Sequence, residues 1–104
     1  MPGVNFQVLR EQITMRDVLQ QLQFEAMVRH GDQWRGPCPV HCSRNPRSRS
    51  FSVNVALGRY QCFSCGSRGH ALALWSAVRG VTLYAAAVEL CQVLGVKVPW
   101  VTWW

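Results

Sequence analysis

The sequence contains no aspartate or glutamate between Gln33 and Val88. The five acidic residues of the 104-residue chain all lie outside this stretch, at Glu11, Asp17, Glu25, Asp32 and Glu89. The stretch itself holds seven arginines, Arg35, Arg44, Arg47, Arg49, Arg59, Arg68 and Arg79. A field of one sign attracts polyanions, so the charge pattern favours nucleic-acid binding. The alternative is a soluble surface whose basic character is incidental.

Long apolar runs and an even set of cysteines are also missing. No run approaches the roughly 20 residues that cross a bilayer, and no hydrophobic signal segment precedes the cysteines. Five cysteines are an odd number, which disfavours the disulfide framework of a secreted protein. We therefore expect one cytoplasmic domain without a membrane partner, in which a metal cross-link helps to stabilise a small core.

Two chelating pairs form the clearest motif. Cys38 and His41 make a Cys-x2-His pair, and Cys62 and Cys65 make a Cys-x2-Cys pair after twenty intervening residues. Thiolate and imidazole ligands hold Zn²⁺ tetrahedrally, and two such pairs about 15–20 residues apart are typical of zinc sites. Four protein ligands leave no open coordination position. The sequence therefore predicts one structural Zn²⁺ and no metal-based catalysis.

The remaining cysteines and histidines leave alternatives open. Cys42 follows His41 directly and could replace it as a ligand, because a Cys-x3-Cys pairing with Cys38 is geometrically possible. A thioredoxin-type redox role for the second pair is disfavoured, since such pairs begin a helix of a βαβ unit. Cys91 is predicted to be a buried small hydrophobe. His30 is expected at a helix end, and His70 as a solvated or helix-capping residue.

Hydrophobic periodicity predicts three helices around a small sheet. The first helix opens at Thr14, which forms a capping box with Asp17, and continues to a stop at Gly31. Its apolar stripe comprises Val18, Leu22 and Met27, with Leu19 and Ala26 beside them. Two further helices are expected at about 71–78 and 82–94, each followed by a glycine.

The middle of the chain predicts a zinc ribbon. A short strand at 33–36 leads to the first chelating pair, and 42–50 is polar and arginine-rich, as in an exposed loop. Residues 51–55 alternate between apolar and polar, and 59–63 return as an antiparallel partner that carries the second pair. The predicted fold class is α+β, a small antiparallel β-sheet with flanking helices.

The C-terminal end is rich in tryptophan, with Trp100, Trp103 and Trp104 in the last five residues. Tryptophan is enriched at interface hot spots, so this tail could dock a polymerase, primase or helicase partner. The alternatives are packing onto this domain or an arbitrary chain end. We predict an N-terminal extension at 1–13, a zinc-binding domain at 14–97 and a Trp-rich tail at 98–104.

Three segments resemble the N-terminal zinc-binding domain of bacterial and phage DNA primases. They are Arg-Gly-Pro-Cys-Pro-Val-His at 35–41, Ser-Phe-Ser-Val at 50–53 and Tyr-Gln-Cys-Phe-Ser-Cys-Gly-Ser-Arg-Gly at 60–69. That family has Cys-Pro-x-His, a Pro-Ser-Phe-x-Val strand, and Cys-Phe-x-Cys-Gly-x-x-Gly before an amphipathic helix. The resemblance covers roughly residues 14–95. The chain departs from it at Arg49, where the family has proline, and at His70, where it usually has Asp or Asn.

The resemblance implies a module that binds single-stranded DNA template and assists primer initiation by a separate or downstream catalytic domain. It implies no polymerase activity here, because the chain lacks the acidic cluster that holds Mg²⁺ in the catalytic domain of such primases. The chain would be either a part of a longer primase or a small free-standing relative.

Arginine and aromatic side chains supply the candidates for DNA contact, because arginine neutralises phosphates and aromatic rings stack on bases. The candidates for backbone contact are Arg35, Arg47, Arg49, Arg59 and Arg68, and those for stacking are Trp34, Tyr60 and Phe63. Core packing is the alternative role of each aromatic ring.

Two other functions compete with this one. The first is a zinc-ribbon interaction module that docks a replication or transcription partner, and the second is nucleic-acid binding of the transcription type. The acid-free, arginine-rich stretch favours DNA binding, because a pure docking module does not require it.

Overall fold

A five-stranded antiparallel sheet forms the centre of the fold. The computed structural model describes residues 3–41 and 48–101. The elements in chain order are β1 (Gly3–Val4), α1 (Phe6–Gln12), α2 (Met15–Gln21), β2 (Val28–His30), β3 (Gln33–Gly36), β4 (Phe51–Asn54), β5 (Arg59–Cys62), β6 (Arg68–His70), α3 (Ala71–Arg79), α4 (Leu83–Leu94) and β7 (Trp100–Val101). The main sheet has the order β2-β3-β4-β5-β6, and β1 pairs with β7 separately. The predicted α+β class is confirmed.

The central hairpin follows the predicted alternation closely. Phe51 lies opposite Cys62 and Asn54 lies opposite Arg59, so β4 and β5 are fully paired. The Asn54 side chain accepts hydrogen bonds from the backbone N–H groups of Ala56 and Leu57, which closes the turn. Neighbouring residues of a strand point to opposite faces. Phe51 and Cys62 are therefore buried, whereas the adjacent Ser52 and Gln61 face away from the core.

Helix α2 begins as predicted but ends nine residues early. Thr14 and Asp17 form the capping box, with Asp17 N–H donating to Thr14 Oγ1 across 3.2 Å. The prediction of a helix that continues to His30 is wrong. Gln23 has a left-handed φ of 57°, which interrupts the helix and brings the Phe24 ring to 5.2 Å from the Phe51 ring.

Residues after this break form an edge strand instead of a helix. Met27 N–H donates to the Arg35 carbonyl across 2.8 Å, and His30 pairs with Gln33 in the register of β2 and β3. Met27 is 45% exposed and so does not join the predicted apolar stripe. His30 lies in β2 rather than at a helix end. Pairing with β3 has overridden the helical periodicity of this segment.

Helix α3 packs against β5 and β6, and α4 packs against α3. Each begins at a side-chain cap, His70 for α3 and Thr82 for α4, and each ends at a left-handed glycine. The core includes Leu72 and Leu74 of α3 together with Leu90 of α4. In the described part of the chain, no single helix is long and apolar enough to span a bilayer. Helices α3 and α4 qualify only as a pair, and they are bent by 99°.

The two ends of the described chain lie side by side. Val4 pairs with Trp100, and Asn5 N–H donates to the Pro99 carbonyl across 2.7 Å. Leu9 and Ile13 of the first thirteen residues belong to the buried core. The domain boundaries at 13/14 and 97/98 stay a prediction, and side chains from all three predicted segments contribute to the same packed unit.

Candidate metal centre and nucleic-acid interface

The ends of two strands bring the two chelating pairs together. Cys38 follows β3 and His41 lies in the turn after it, whereas Cys62 ends β5 and Cys65 lies in the next turn. The four ligand atoms all lie within 4.8 Å of one another. Cys38 Sγ is 3.9 Å from Cys65 Sγ, and Cys62 Sγ is 3.6 Å from His41 Nδ1. These four side chains therefore surround a single point.

The distances match the edges of a zinc tetrahedron. Bond lengths of about 2.3 Å for Zn–S and about 2.0–2.1 Å for Zn–N require S···S edges near 3.8 Å and S···N edges near 3.6 Å. Both separations given above agree with these values. The residues therefore fit one Zn²⁺ with three sulfur ligands and one nitrogen ligand.

Burial and backbone donors act on the thiols of this cluster. Burial raises the pKa of Cys38 to about 12. Burial also acts upward on Cys62, but hydrogen bonds from the backbone of Cys65 and Ser64, together with those from the Cys65 and Cys38 side chains, outweigh it and lower the pKa of Cys62 to about 6. Cys65 N–H lies 3.4 Å from Cys62 Sγ. A backbone amide directed at a sulfur is a common way to stabilise a thiolate.

Among the described cysteines, Cys91 lies outside the cluster. Cys91 is 1% exposed in the core, as predicted, and burial raises the pKa of its thiol. Cys42, the alternative ligand, lies outside the residues that the structure describes, as do Arg44, Arg47, Trp103 and Trp104.

The side of the main sheet opposite the helices is polar and cationic. We call it the outer face, and it comprises Gln33, Arg35, Ser52, Asn54, Arg59, Gln61, Arg68 and His70. Cross-strand register joins these residues into rows, with Gln61 between Ser52 and Arg68, and Arg59 between Asn54 and His70. A concavity of about 600 Å³ opens here, and no described residue that lines it is acidic.

The predicted arginines fall into two groups. Arg59 and Arg68 are exposed on the outer face, free to meet a phosphate. Arg35 is half-buried: its guanidinium donates to the Arg49 carbonyl across 2.7 Å and lies 5.4 Å from the centre of the Phe63 ring. Arg35 thus contacts both the segment before β4, through Arg49, and the second chelating pair, through Phe63. Arg49 is exposed next to it.

The three predicted stacking rings lie in different places. Phe63 is 63% exposed, beside the second chelating pair. Tyr60 is only 5% exposed, because its ring stacks on Phe51 and its hydroxyl bonds Ser67, which favours core packing over the predicted base stacking. Trp34 lies opposite Val53 on the core side of the sheet, where the guanidinium of Arg29 is 4.2 Å from its ring centre.

Several polar residues of the outer face were missed by the sequence analysis. They are Gln33, Ser52, Asn54, Gln61 and His70. The alternation that placed Phe51 and Val53 in the core also places Ser52 and Asn54 on the opposite side. The alternation therefore already indicated which polar side chains of the hairpin share the outer face.

Comparison with known proteins identifies this arrangement. Residues 2–102 match the family described as the CHC2 zinc finger. The chain belongs to the CHC2 zinc-finger family. This CHC2 zinc finger is 33% identical over 88 residues to the DNA primase of Lactococcus lactis, a match that covers 85% of the chain and 13% of the relative. It is 38% identical over 84 residues to the DNA primase of Chlamydia pneumoniae, covering 81% of the chain and 13% of that relative.

A solved structure has the same fold. The crystal structure of the zinc-binding and RNA polymerase domains of the Aquifex aeolicus primase superposes with a TM-score of 0.72 at 28% identity. The match covers 92% of this chain and 23% of that one. The predicted family and its single zinc ion are therefore confirmed. The similarity is to the zinc-binding part of these primases, and the match spans only about one eighth of the length of these two curated relatives.

Proposed function

We propose that this CHC2 zinc finger binds single-stranded DNA template on its outer face and assists primer initiation by a primase catalytic domain. That domain, separate or downstream, would supply the polymerase activity, and this chain would supply none. A polymerase or helicase is a further partner under this proposal. The location would be cytoplasmic, where reduced thiols are free to bind zinc.

The acid-free cationic concavity of the outer face is the observation that carries the proposal. Arg59 and Arg68 are exposed there with no described carboxylate beside them. The only ion pair among the described residues joins Arg79 to Glu89 across 3.2 Å, on the helices. Amide and hydroxyl groups between the arginines can donate to phosphates or bases, and the exposed Phe63 ring offers a stacking surface.

Binding of labelled oligonucleotides across a salt series tests the proposal. We expect the zinc-loaded protein to bind single-stranded DNA saturably, more tightly than single-stranded RNA or duplex, and to lose binding after chelation. The double variant Arg59→Gln and Arg68→Gln should reduce the log–log salt slope by up to about 1.4, since each phosphate contact on a single strand contributes about 0.7.

Arg79→Gln is the matched control for this experiment. It removes one positive charge, as each single substitution of the double variant does, from a residue that is paired with Glu89 on the helices. It should leave both affinity and slope unchanged. Folded, zinc-loaded protein that fails to bind single-stranded DNA at low salt would contradict the proposal.

A second candidate function is docking of a protein partner at the tryptophan-rich end. Trp100 and Tyr84 are each about half exposed, at 49% and 51%, with ring centres 6.3 Å apart. Exposed aromatic pairs are favourable anchors for a protein interface. Trp100→Ala with Tyr84→Ala should abolish capture of a purified primase catalytic domain while leaving DNA binding intact, if this surface is the docking site.

A further inference from the structure

His70 stands at the junction between the outer face and helix α3. It ends β6, caps the N-terminus of α3 and lies directly opposite Arg59 in the register of β5 and β6. Its side chain lines the concavity of the outer face together with Arg68, and it also lines a neighbouring concavity together with Arg10. A DNA strand that crosses Arg59 and Arg68 would pass next to this imidazole.

The capping interaction fixes which ring nitrogen of His70 carries the proton. The backbone N–H of Ala73 donates to Nδ1 across 3.4 Å, so Nδ1 accepts through its lone pair and carries no proton. A neutral imidazole with an accepting Nδ1 carries its proton on Nε2. Because Nδ1 accepts the hydrogen bond from the helix backbone, Nε2–H remains as one donor for a ligand.

The surroundings of His70 keep the ring neutral. Burial, and after it the positive charge of Arg10, lowers the pKa of His70. Arg59 and Arg68 add further positive charge on the same face. No described residue that lines either of the two concavities is acidic. The imidazole is thus held as a neutral donor among cations.

Histidine is an unusual cap for a helix in this position. Asp and Asn are stronger N-caps, and the helix dipole favours a negative charge there. A carboxylate at this position would lie opposite Arg59 and would repel the phosphates that the face attracts. Histidine caps the helix without adding negative charge, and its Nε2–H is left outside the capping interaction.

We propose that His70 is a further ligand-contacting residue of the outer face, a neutral helix cap whose Nε2–H donates one hydrogen bond to the bound single strand. This inference rests on the proposed function. The acceptor is a phosphate oxygen or an acceptor atom of a base, and the two sources differ in their dependence on the base sequence.

Two capping variants test this contact. His70→Asn keeps a neutral cap but shortens the side chain, and we expect it to bind DNA about three- to tenfold more weakly, as for loss of one hydrogen bond. His70→Asp keeps a strong cap but adds a negative charge, so it should bind more weakly again, with a smaller salt slope. Thermal unfolding of both zinc-loaded variants, compared with the unaltered protein, verifies that the cap is intact.

Homopolymers of dT, dC and dA distinguish the two sources of the acceptor. An effect of His70→Asn that is equal on all three identifies a phosphate, and an effect that differs among them identifies a base. The inference is overturned if His70→Asn binds single-stranded DNA as tightly as the unaltered protein, whatever the effect of the charge in His70→Asp. Failure of the unaltered protein to bind any single strand would instead overturn the proposed function, and this inference with it.

Imidazole ¹⁵N spectra give a readout that a purely structural cap would not change. The His70 resonances, identified by their loss in His70→Asn, should show the Nε2–H tautomer at pH 7 and an Nε2 shift on addition of the oligonucleotide. An Nδ1–H tautomer, a charged ring, or an Nε2 resonance unmoved by saturating DNA would each contradict the proposal.

Discussion

At the scale of single residues, exposure and partners separate side chains that the sequence grouped together. Arg35 and Arg59 are equivalent in a count of cations, but only Arg59 stands free on the outer face. Phe63 and Tyr60 are both aromatic residues of the same hairpin region, yet one is 63% exposed and the other 5%. Their expected contributions to DNA binding and to stability therefore differ.

Arg35 should stabilise the fold rather than neutralise a phosphate. We expect Arg35→Gln to lower the free energy of unfolding by about 1–3 kcal/mol, because the Arg49 carbonyl loses a charged donor. Urea denaturation of the zinc-loaded protein measures this change. The salt slope of DNA binding should stay the same, and a drop of about 0.7 with unchanged stability would show that Arg35 contacts phosphate after all.

Phe63 should act on DNA binding and hardly on stability. Phe63→Ala removes an exposed ring, so we expect DNA affinity to fall by about 1–3 kcal/mol for one lost base stack, with a change in stability within about 0.5 kcal/mol. Fluorescence anisotropy and urea denaturation measure the two quantities. Phe51→Ala is the contrasting variant, because the same truncation of a fully buried ring should cost about 3–5 kcal/mol of stability.

At the scale of elements, the junction of β6 and α3 aligns the outer face with the helices. Gly69 has a φ of 149°, and a Cβ built on it would lie 2.7 Å from the Cβ of Ala73. Helix α3 therefore begins in close contact with the strand, and His70 is fixed between Arg59 and the first turn of the helix. Pairing of Gly69 with Tyr60 and of Arg68 with Gln61 holds the same strand against β5.

Gly69 should not tolerate a side chain. We expect Gly69→Ala to destabilise the protein by about 1–3 kcal/mol, because both the backbone conformation and the contact with Ala73 oppose a methyl group. Gly58→Ala is the control: its φ of 68° is also positive, but nothing lies within 4 Å of its Cβ. Thermal unfolding should show a larger loss for Gly69→Ala, and equal losses would mean that the close contact is unimportant.

At the scale of the whole molecule, the metal centre joins two halves of the sheet. One chelating pair follows the end of β3, and the other begins at the end of β5. Strand β4 lies between these two strands, so a single ion joins the end of β3 to the end of β5. Cys38 and Cys62 also belong to the buried core. Loss of the ion would leave two buried thiols, of which Cys38 has a raised pKa, in place of a coordinated cluster.

Removal of zinc should unfold the chain. The apparent binding energy of structural zinc, about 10–16 kcal/mol, equals or exceeds the stability of a typical small domain. We expect one zinc ion per chain, retained in Cys91→Ala and lost in Cys38→Ser, as measured by a colorimetric zinc assay. Circular dichroism after chelation should show a cooperative loss of structure that re-addition of zinc reverses. A folded, zinc-free chain would contradict this role.

The sequence by itself determined the spacing of the two chelating pairs, the central hairpin and the start and end of α4, because each depends on neighbours a few residues apart. Ligand spacing, strand alternation and capping residues are local signals. In the structure Cys62 lies in the metal-ligand cluster, Phe51 is buried in β4 and Gly95 ends α4, as these signals indicate. The tertiary structure alone decided where α2 stops, that 28–30 forms an edge strand, and that Trp34 lies on the core side. These outcomes depend on pairing with β3 and on packing against Phe51, which bring together residues distant in the chain. Local pattern cannot encode such contacts, because their free energy exceeds the weak preferences of the segment itself.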